Sequence, residues 1–221
     1  GDGVANSLTG GAGVDAISGG AGNDRLIASG DASDDTYDGG AGDDTVDYSS
    51  LSASVTVDLA SNTVTFDSGT TTVTDTLSSI ENIIGGLGAD AFLGGANVDI
   101  LDGGAGDDNL NGGAGADTLT GGAGNDTVLG GAGDDLIIAG SGAGDDDYDG
   151  GADIDTISFA STTLGATVNL SAGTATGSET GVDTITLIEN VIGGSGADVI
   201  TGDANANALD GGAGGETLNG G

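Results

Sequence analysis

Residues 85–138 are six nine-residue units in a row with no insertion: GGLGADAFL, GGANVDILD, GGAGDDNLN, GGAGADTLT, GGAGNDTVL and GGAGDDLII. The shared template is G-G-x-G-x-D-x-U-x, where U is a large apolar residue. The first six positions are Gly-rich and carry one acid. Glycine reaches positive φ and lets backbones approach closely, so this half of the unit can turn sharply and aim carbonyls inward. The last three positions, x-U-x, have the period of a short strand that buries one side chain. Turn plus strand, taken twice, closes one flat coil, and successive coils stack as parallel strands about 4.8 Å apart. The predicted fold class is all-β, a parallel β-roll (β-solenoid).

Composition agrees with a solenoid and with little else. The 221 residues include 49 Gly, no Pro, Cys, Met, Trp or His, and only three Phe and three Tyr. A conventional core is hard to build from this set, whereas a solenoid needs one Leu, Ile or Val per nine residues, stacked on its neighbours. The net charge is −35 and Arg25 is the only cation. Self-repulsion on that scale destabilises any compact state, and without a counter-ion the chain reads as disordered and acidic. DNA, RNA and anionic lipid need basic patches, and none exists. No apolar run has membrane-spanning length, so neither nucleic acid binding nor membrane insertion is expected. The lack of Cys suits an exported protein that does not depend on disulfides.

Along the chain, residues 1–9 form a worn unit with Asn6 at the acid position. Residues 10–18 and 19–27 match fully, 28–38 are a unit stretched to eleven residues, and 39–47 match again. The pattern then stops over residues 48–84. Within this insert, 54–59 and 63–66 read as the strands of a hairpin, and 76–84 as a coil without metal turns. Its 37 residues are close to two coils of eighteen, which would keep the stack in phase. After residue 138 the order recurs: a stretched unit at 139–149, a unit at 150–158 with Asp153 at a Gly position, a second insert at 159–192, and a matching unit at 193–201. Residues 202–210 and 211–219 are worn, with Asn207 and Glu216 at the acid position. The chain therefore reads as two copies of a super-repeat, 1–111 and 112–219, in one continuous solenoid. Residues 220–221 open a further unit, so a piece of something longer is expected.

The acids are not scattered. Thirteen units carry Asp at position six: Asp15, Asp24, Asp35, Asp44, Asp90, Asp99, Asp108, Asp117, Asp126, Asp135, Asp146, Asp155 and Asp198. Ca²⁺ takes six to eight oxygens at about 2.3–2.6 Å from carboxylates and carbonyls, more than one Asp can supply, so two facing turns must share an ion. Mg²⁺ wants a tighter octahedron, and Zn²⁺ wants His or Cys. A lone Asp in such a turn would cap its own backbone. Thirteen in register favour the cation. The residues at the U position (Ile17, Leu26, Tyr37, Val46, Phe92, Leu101, Leu110, Leu119, Val128, Ile137, Tyr148, Ile157 and Ile200) are assigned to the core. Without His there is no Ser-His-Asp triad and no HExxH zinc site. Adjacent acids such as Asp107 and Asp108 point apart in a turn, and Glu81 and Glu189 read as surface or rung residues rather than a catalytic pair.

The nonapeptide template resembles that of the RTX (repeats-in-toxin) family, secreted through type I systems. The resemblance implies an ion held between turns, with carbonyls from positions one, three and five of one turn. Carbonyls from two and four, and the Asp, come from its neighbour. It thereby adds the turn glycines to the metal set: Gly11, Gly13, Gly20, Gly22, Gly40, Gly42, Gly86, Gly88, Gly104, Gly106, Gly113, Gly115, Gly122, Gly124, Gly131, Gly133, Gly194 and Gly196. On that arrangement the turn of Gly124 and Asp126 works with the unit starting at Gly103 or at Gly140. The expected function is a non-enzymatic, calcium-folded structural segment outside a Gram-negative cell: a fibre, stalk, surface-layer or adhesin piece that self-associates end to end. The alternative is the secretion and folding module of an RTX hydrolase or toxin whose catalytic domain lies elsewhere. A polysaccharide-binding roll would want basic residues, and an ice-binding one Thr at position three, where Ala dominates.

Overall fold

The computed structural model describes residues 1–140, 142 and 144–221; Ser141 and Ala143, within the stretched unit 139–149, lie outside the described residues. Those described contain strands and no helix, so none that could cross a membrane. The strands form one ten-stranded and one fourteen-stranded sheet, which face each other along the whole roll.

In the unbroken run the chain alternates between sheets. Ile100–Ala105 pairs in parallel with Thr118–Ala123, and Asn109–Ala114 with Thr127–Ala132, each at a spacing of eighteen residues. This register stacks the U residues into columns. On the ten-stranded sheet the column runs Leu8, Leu26, Val46, Ile83, Leu101, Leu119, Ile137, Ile157, Val191 and Leu209. Leu26, Val46, Leu101, Leu119, Ile137 and Ile157 are completely buried. Each such side chain contributes about 2 kcal/mol by leaving water. The expected β-roll is therefore the architecture found.

The inserts keep the stack continuous but are built differently from two plain coils. In the first, Val55–Asp58 and Thr63–Asp67 form the expected antiparallel hairpin, and Thr72–Ser78 adds a third strand. The outer two strands of this meander pair in parallel with the roll, Thr72–Ser78 with Thr36–Ala41 and Val55–Asp58 with Ala91–Leu93. The second insert repeats this with Thr167–Asn169, Thr174–Gly177 and Gly181–Thr186. The third strand was hidden because Asp75 interrupts the apolar alternation of Val73 and Leu77. Asp75 points inward with them and is buried. Each insert gives three strands to one sheet and one, Asn82–Ile84 or Asn190–Ile192, to the other. At about 4.8 Å per strand the larger face gains about 10 Å at each insert, so the roll fans there.

Leu119→Ala should lower the stability of the folded chain by about 3 kcal/mol, because it empties one rung of a closed column. Leu87→Ala, at a side chain 63% exposed, should change it by less than about 0.5 kcal/mol. Denaturant midpoints in calcium test this; equal effects would contradict the column.

Candidate metal centre

Twelve of the thirteen position-six aspartates are buried, from Asp44 and Asp155 at 0% exposure to Asp146 at 5%; Asp15 is half-buried. In eleven of the thirteen, Oδ1 accepts a backbone N–H. The backbone N–H of a position-six residue donates to Oδ1 of the Asp one coil further on: Asp90 to Asp108 at 2.7 Å, Asp99 to Asp117, Asp108 to Asp126 and Asp117 to Asp135 at 2.8 Å. In eight of the thirteen the second oxygen has no such partner. Oδ2 of Asp15, Asp24, Asp44, Asp108, Asp117, Asp126, Asp135 and Asp155 is buried with no hydrogen-bond partner. A buried, unpaired carboxylate oxygen is costly, so a run of them marks a missing positive partner.

The turns bring further oxygens to those atoms. Gly122 and Gly124 hold φ at 107° and 135°. A Cβ on Gly122 would lie 2.1 Å from the Gly104 carbonyl oxygen, and one on Gly124 would lie 1.9 Å from that of Gly106. Only glycine allows both this φ and this approach. At position one, a Cβ on Gly103 would meet Asp108 Oδ2 at 2.5 Å and the Gly121 carbonyl oxygen at 2.6 Å. A carboxylate oxygen of one turn and a carbonyl of the next thus face a common small space. The 121–126 turn also carries the next one: Gly144 would clash with the Gly124 oxygen at 1.7 Å. Both neighbours anticipated for Asp126 are therefore in contact with it. No group of three acidic side chains assembles among the described residues, so each cage draws mainly on backbone. A hard cation that accepts one carboxylate and several carbonyls fits this donor set, and Ca²⁺ is such a cation.

The turns are not all alike. At Asp90, Asp99 and Asp198, Oδ2 accepts the N–H of Gly86, Gly95 or Gly194 at 2.7–2.9 Å. Gly86, Gly88, Gly194 and Gly196 keep φ outside the positive region. Each of these three turns is the first after an insert on its side; Gly86 and Gly194 face the insert carbonyls of Leu51 and Thr162 rather than another nonapeptide turn. At the stretched units a phenol fills the place: Tyr37 Oη donates to Asp35 Oδ2 at 3.2 Å, and Tyr148 Oη to Asp146 Oδ2 at 2.8 Å. At Asp153, position four of the 150–155 turn, an Asp takes the positive φ, 84°.

Four acids join the ladder unannounced by the template. Asp75 and Asp183 accept the N–H of Asp35 and Asp146 at 2.9 and 3.2 Å; Glu81 and Glu189 accept that of Asp44 and Asp155 at 3.0 and 2.9 Å. Glu81 and Glu189 are thus rung residues. The signal was an acid followed by x-U-x, as in D-T-L-S and E-N-I-I, without the preceding glycines. Tyr48 Oη donates to Asp75 Oδ2 at 3.4 Å. The second insert has Phe159 at the corresponding corner, and Asp183 Oδ2 has no partner.

Burial, reinforced by neighbouring acids, pushes Asp108 up to about 7 and Asp126 and Asp155 to about 6. Because these values lie above the ordinary 3.8, the ion-free fold binds more protons than the unfolded chain between about pH 4 and 7. It should therefore gain stability as pH falls through that window. In chelator, the β signal in circular dichroism should be larger at pH 5 than at pH 7.5, while the calcium midpoint should rise as pH falls; the reverse trends would refute the assignment. Calorimetric titration provides a second check. Asp117→Ala, amid intact turns, should remove about one ion and weaken adjoining sites, whereas Asp198→Ala should cost less. Equal losses would count against turns that share ions.

The family model for the RTX calcium-binding nonapeptide repeat (4 copies) matches residues 1–31, 27–46, 76–110, 111–143 and 188–221. No curated protein matches the chain. The matched segments cover more than half of the residues and contain eleven of the thirteen position-six aspartates, Asp146 and Asp155 falling between them. The chain belongs to the RTX calcium-binding nonapeptide repeat family.

Proposed function

We propose that this chain is an extracellular, non-enzymatic structural segment that folds on binding Ca²⁺ and then associates end to end, as part of a fibre, stalk, surface layer or adhesin. The observation that carries the reading is the row of buried Oδ2 atoms without partners in a chain of net charge −35. Binding free energy is folding free energy when the site does not exist in the unfolded chain. Loading every position-six Asp with one ion would bring the charge to about −9. Low cytosolic calcium would keep the chain extended for export through a type I channel, and external calcium would fold it.

Association is supported by the stacking itself: coil pairs with coil in parallel along both sheets and across both inserts, the same contact by which one copy would continue into another.

Circular dichroism in chelator should read as disordered, and millimolar calcium should bring up a β signal. Electron microscopy and light scattering should then show linear assemblies. A chain equally folded in chelator would refute calcium-driven folding. Compact monomers at high protein concentration in calcium would refute association and favour a secretion and folding module of a larger RTX hydrolase or toxin.

A further inference from the structure

The inserts hold no nonapeptide turn, yet each sets a corner over an orphaned carboxylate. Asp44 and Asp155 belong to the last nonapeptide turns before the inserts on their side. Both are 0% exposed, and Oδ2 of each has no partner. In a regular turn that oxygen shares its space with the first carbonyl of the next turn. A Cβ on Gly112, for example, would lie 2.4 Å from Asp117 Oδ2 and 2.6 Å from the Gly130 oxygen. At Gly39 the Cβ would lie 2.5 Å from Asp44 Oδ2 and 2.1 Å from the carbonyl oxygen of Ser79. At Gly150 it would lie 2.7 Å from Asp155 Oδ2 and 2.1 Å from that of Leu187. An insert carbonyl thus occupies the place of a nonapeptide glycine carbonyl, in both copies.

The backbone is bent out of its ordinary range to do so. Ser79 and Leu187 have φ of 50° and 51°, a region that side chains with a Cβ disfavour. Core packing does not hold Leu187 there, since it is 61% exposed. The corners 79–81 and 187–189 are three residues long. Their Glu81 and Glu189 accept the N–H of Asp44 and Asp155, as the next position-six Asp would. Each corner therefore keeps the counterparts of positions one, five and six of a turn and drops two to four.

We propose that Asp44 with Ser79, and Asp155 with Leu187, form two junction sites for a divalent cation of the size of calcium, each built half from a nonapeptide turn and half from an insert corner. The carboxylate Oδ2 and the insert carbonyl face the ion. With the middle of the turn missing, fewer protein oxygens remain, so these sites fill after the regular ones. The inference rests on the reading that regular turns take calcium. It gives the inserts a role: they hand the ion ladder across the break in the repeat.

The test is the anomalous signal of calcium in crystals of the whole chain grown in millimolar calcium, together with an ion count in solution. Peaks are expected about 2.3–2.6 Å from the carbonyl oxygens of Ser79 and Leu187, as well as beside that of Gly121. The double variant Asp44→Asn with Asp155→Asn should bind two fewer ions at saturation. Asn retains the Oδ1 that accepts the N–H of Asp24 at 2.7 Å and of Asp135 at 2.8 Å, so the fold should persist. A peak beside Gly121 with none at Ser79 or Leu187, or an unchanged ion count in the folded double variant, would overturn the junction sites and leave the regular ones standing. No peak at any turn would overturn the calcium reading and this inference together.

Discussion

The structure depends on one carboxylate held in a divided way. At position six, Oδ1 accepts a backbone N–H from the preceding coil, which aligns successive turns. That same bond buries the charge and leaves Oδ2 facing the next turn with nothing to bind. Like charges one strand apart, at about 5 Å and an effective dielectric of about 20, repel by roughly 3 kcal/mol per pair. A buried leucine per unit contributes about 2 kcal/mol. The hydrophobic column alone therefore does not outweigh the acid ladder, and a cation between turns converts the larger opposing effect into an attraction.

The exceptions follow the same logic by other means. Where a turn is stretched by two residues its geometry changes, and Tyr37 or Tyr148 reaches from the core column to neutralise the demand of its own unit's Asp with an O–H donor. Where a turn stacks on an insert, its own second N–H folds back onto the carboxylate. Ion, phenol and amide are three partners for the same oxygen. The contrast between Tyr48, bonded to Asp75 Oδ2, and Phe159, which leaves Asp183 Oδ2 without a partner, shows how a single hydroxyl decides whether a rung is complete. The regular turns have only the ion available.

Much of this was legible from residue order. A period of nine with Gly at one, two and four and an apolar residue at eight determines a two-sheet roll, since no other arrangement buries one side chain per unit while permitting the turns. The position-six acids and the core columns, Leu101 to Leu119 to Ile137 among them, follow from the same count. The third strand of each insert did not, because Asp75 and Asp183 broke an alternation that only their inward burial completes. Nor did the membership of Glu81 and Glu189 in the ladder.

The sequence by itself determined the period, the fold class, the buried columns and the presence of one acid per turn. Tertiary structure alone decided which of those acids are left wanting a cation. That depends on what is stacked against each turn, a residue eighteen to forty positions away in the chain, as when Asp35 meets Asp75. Motifs that share Gly at one, two and four and Asp at six, such as those of Asp90 and Asp117, thus part company: one rests on an insert and closes on its own turn's amide, the other rests between turns and keeps an empty-handed oxygen.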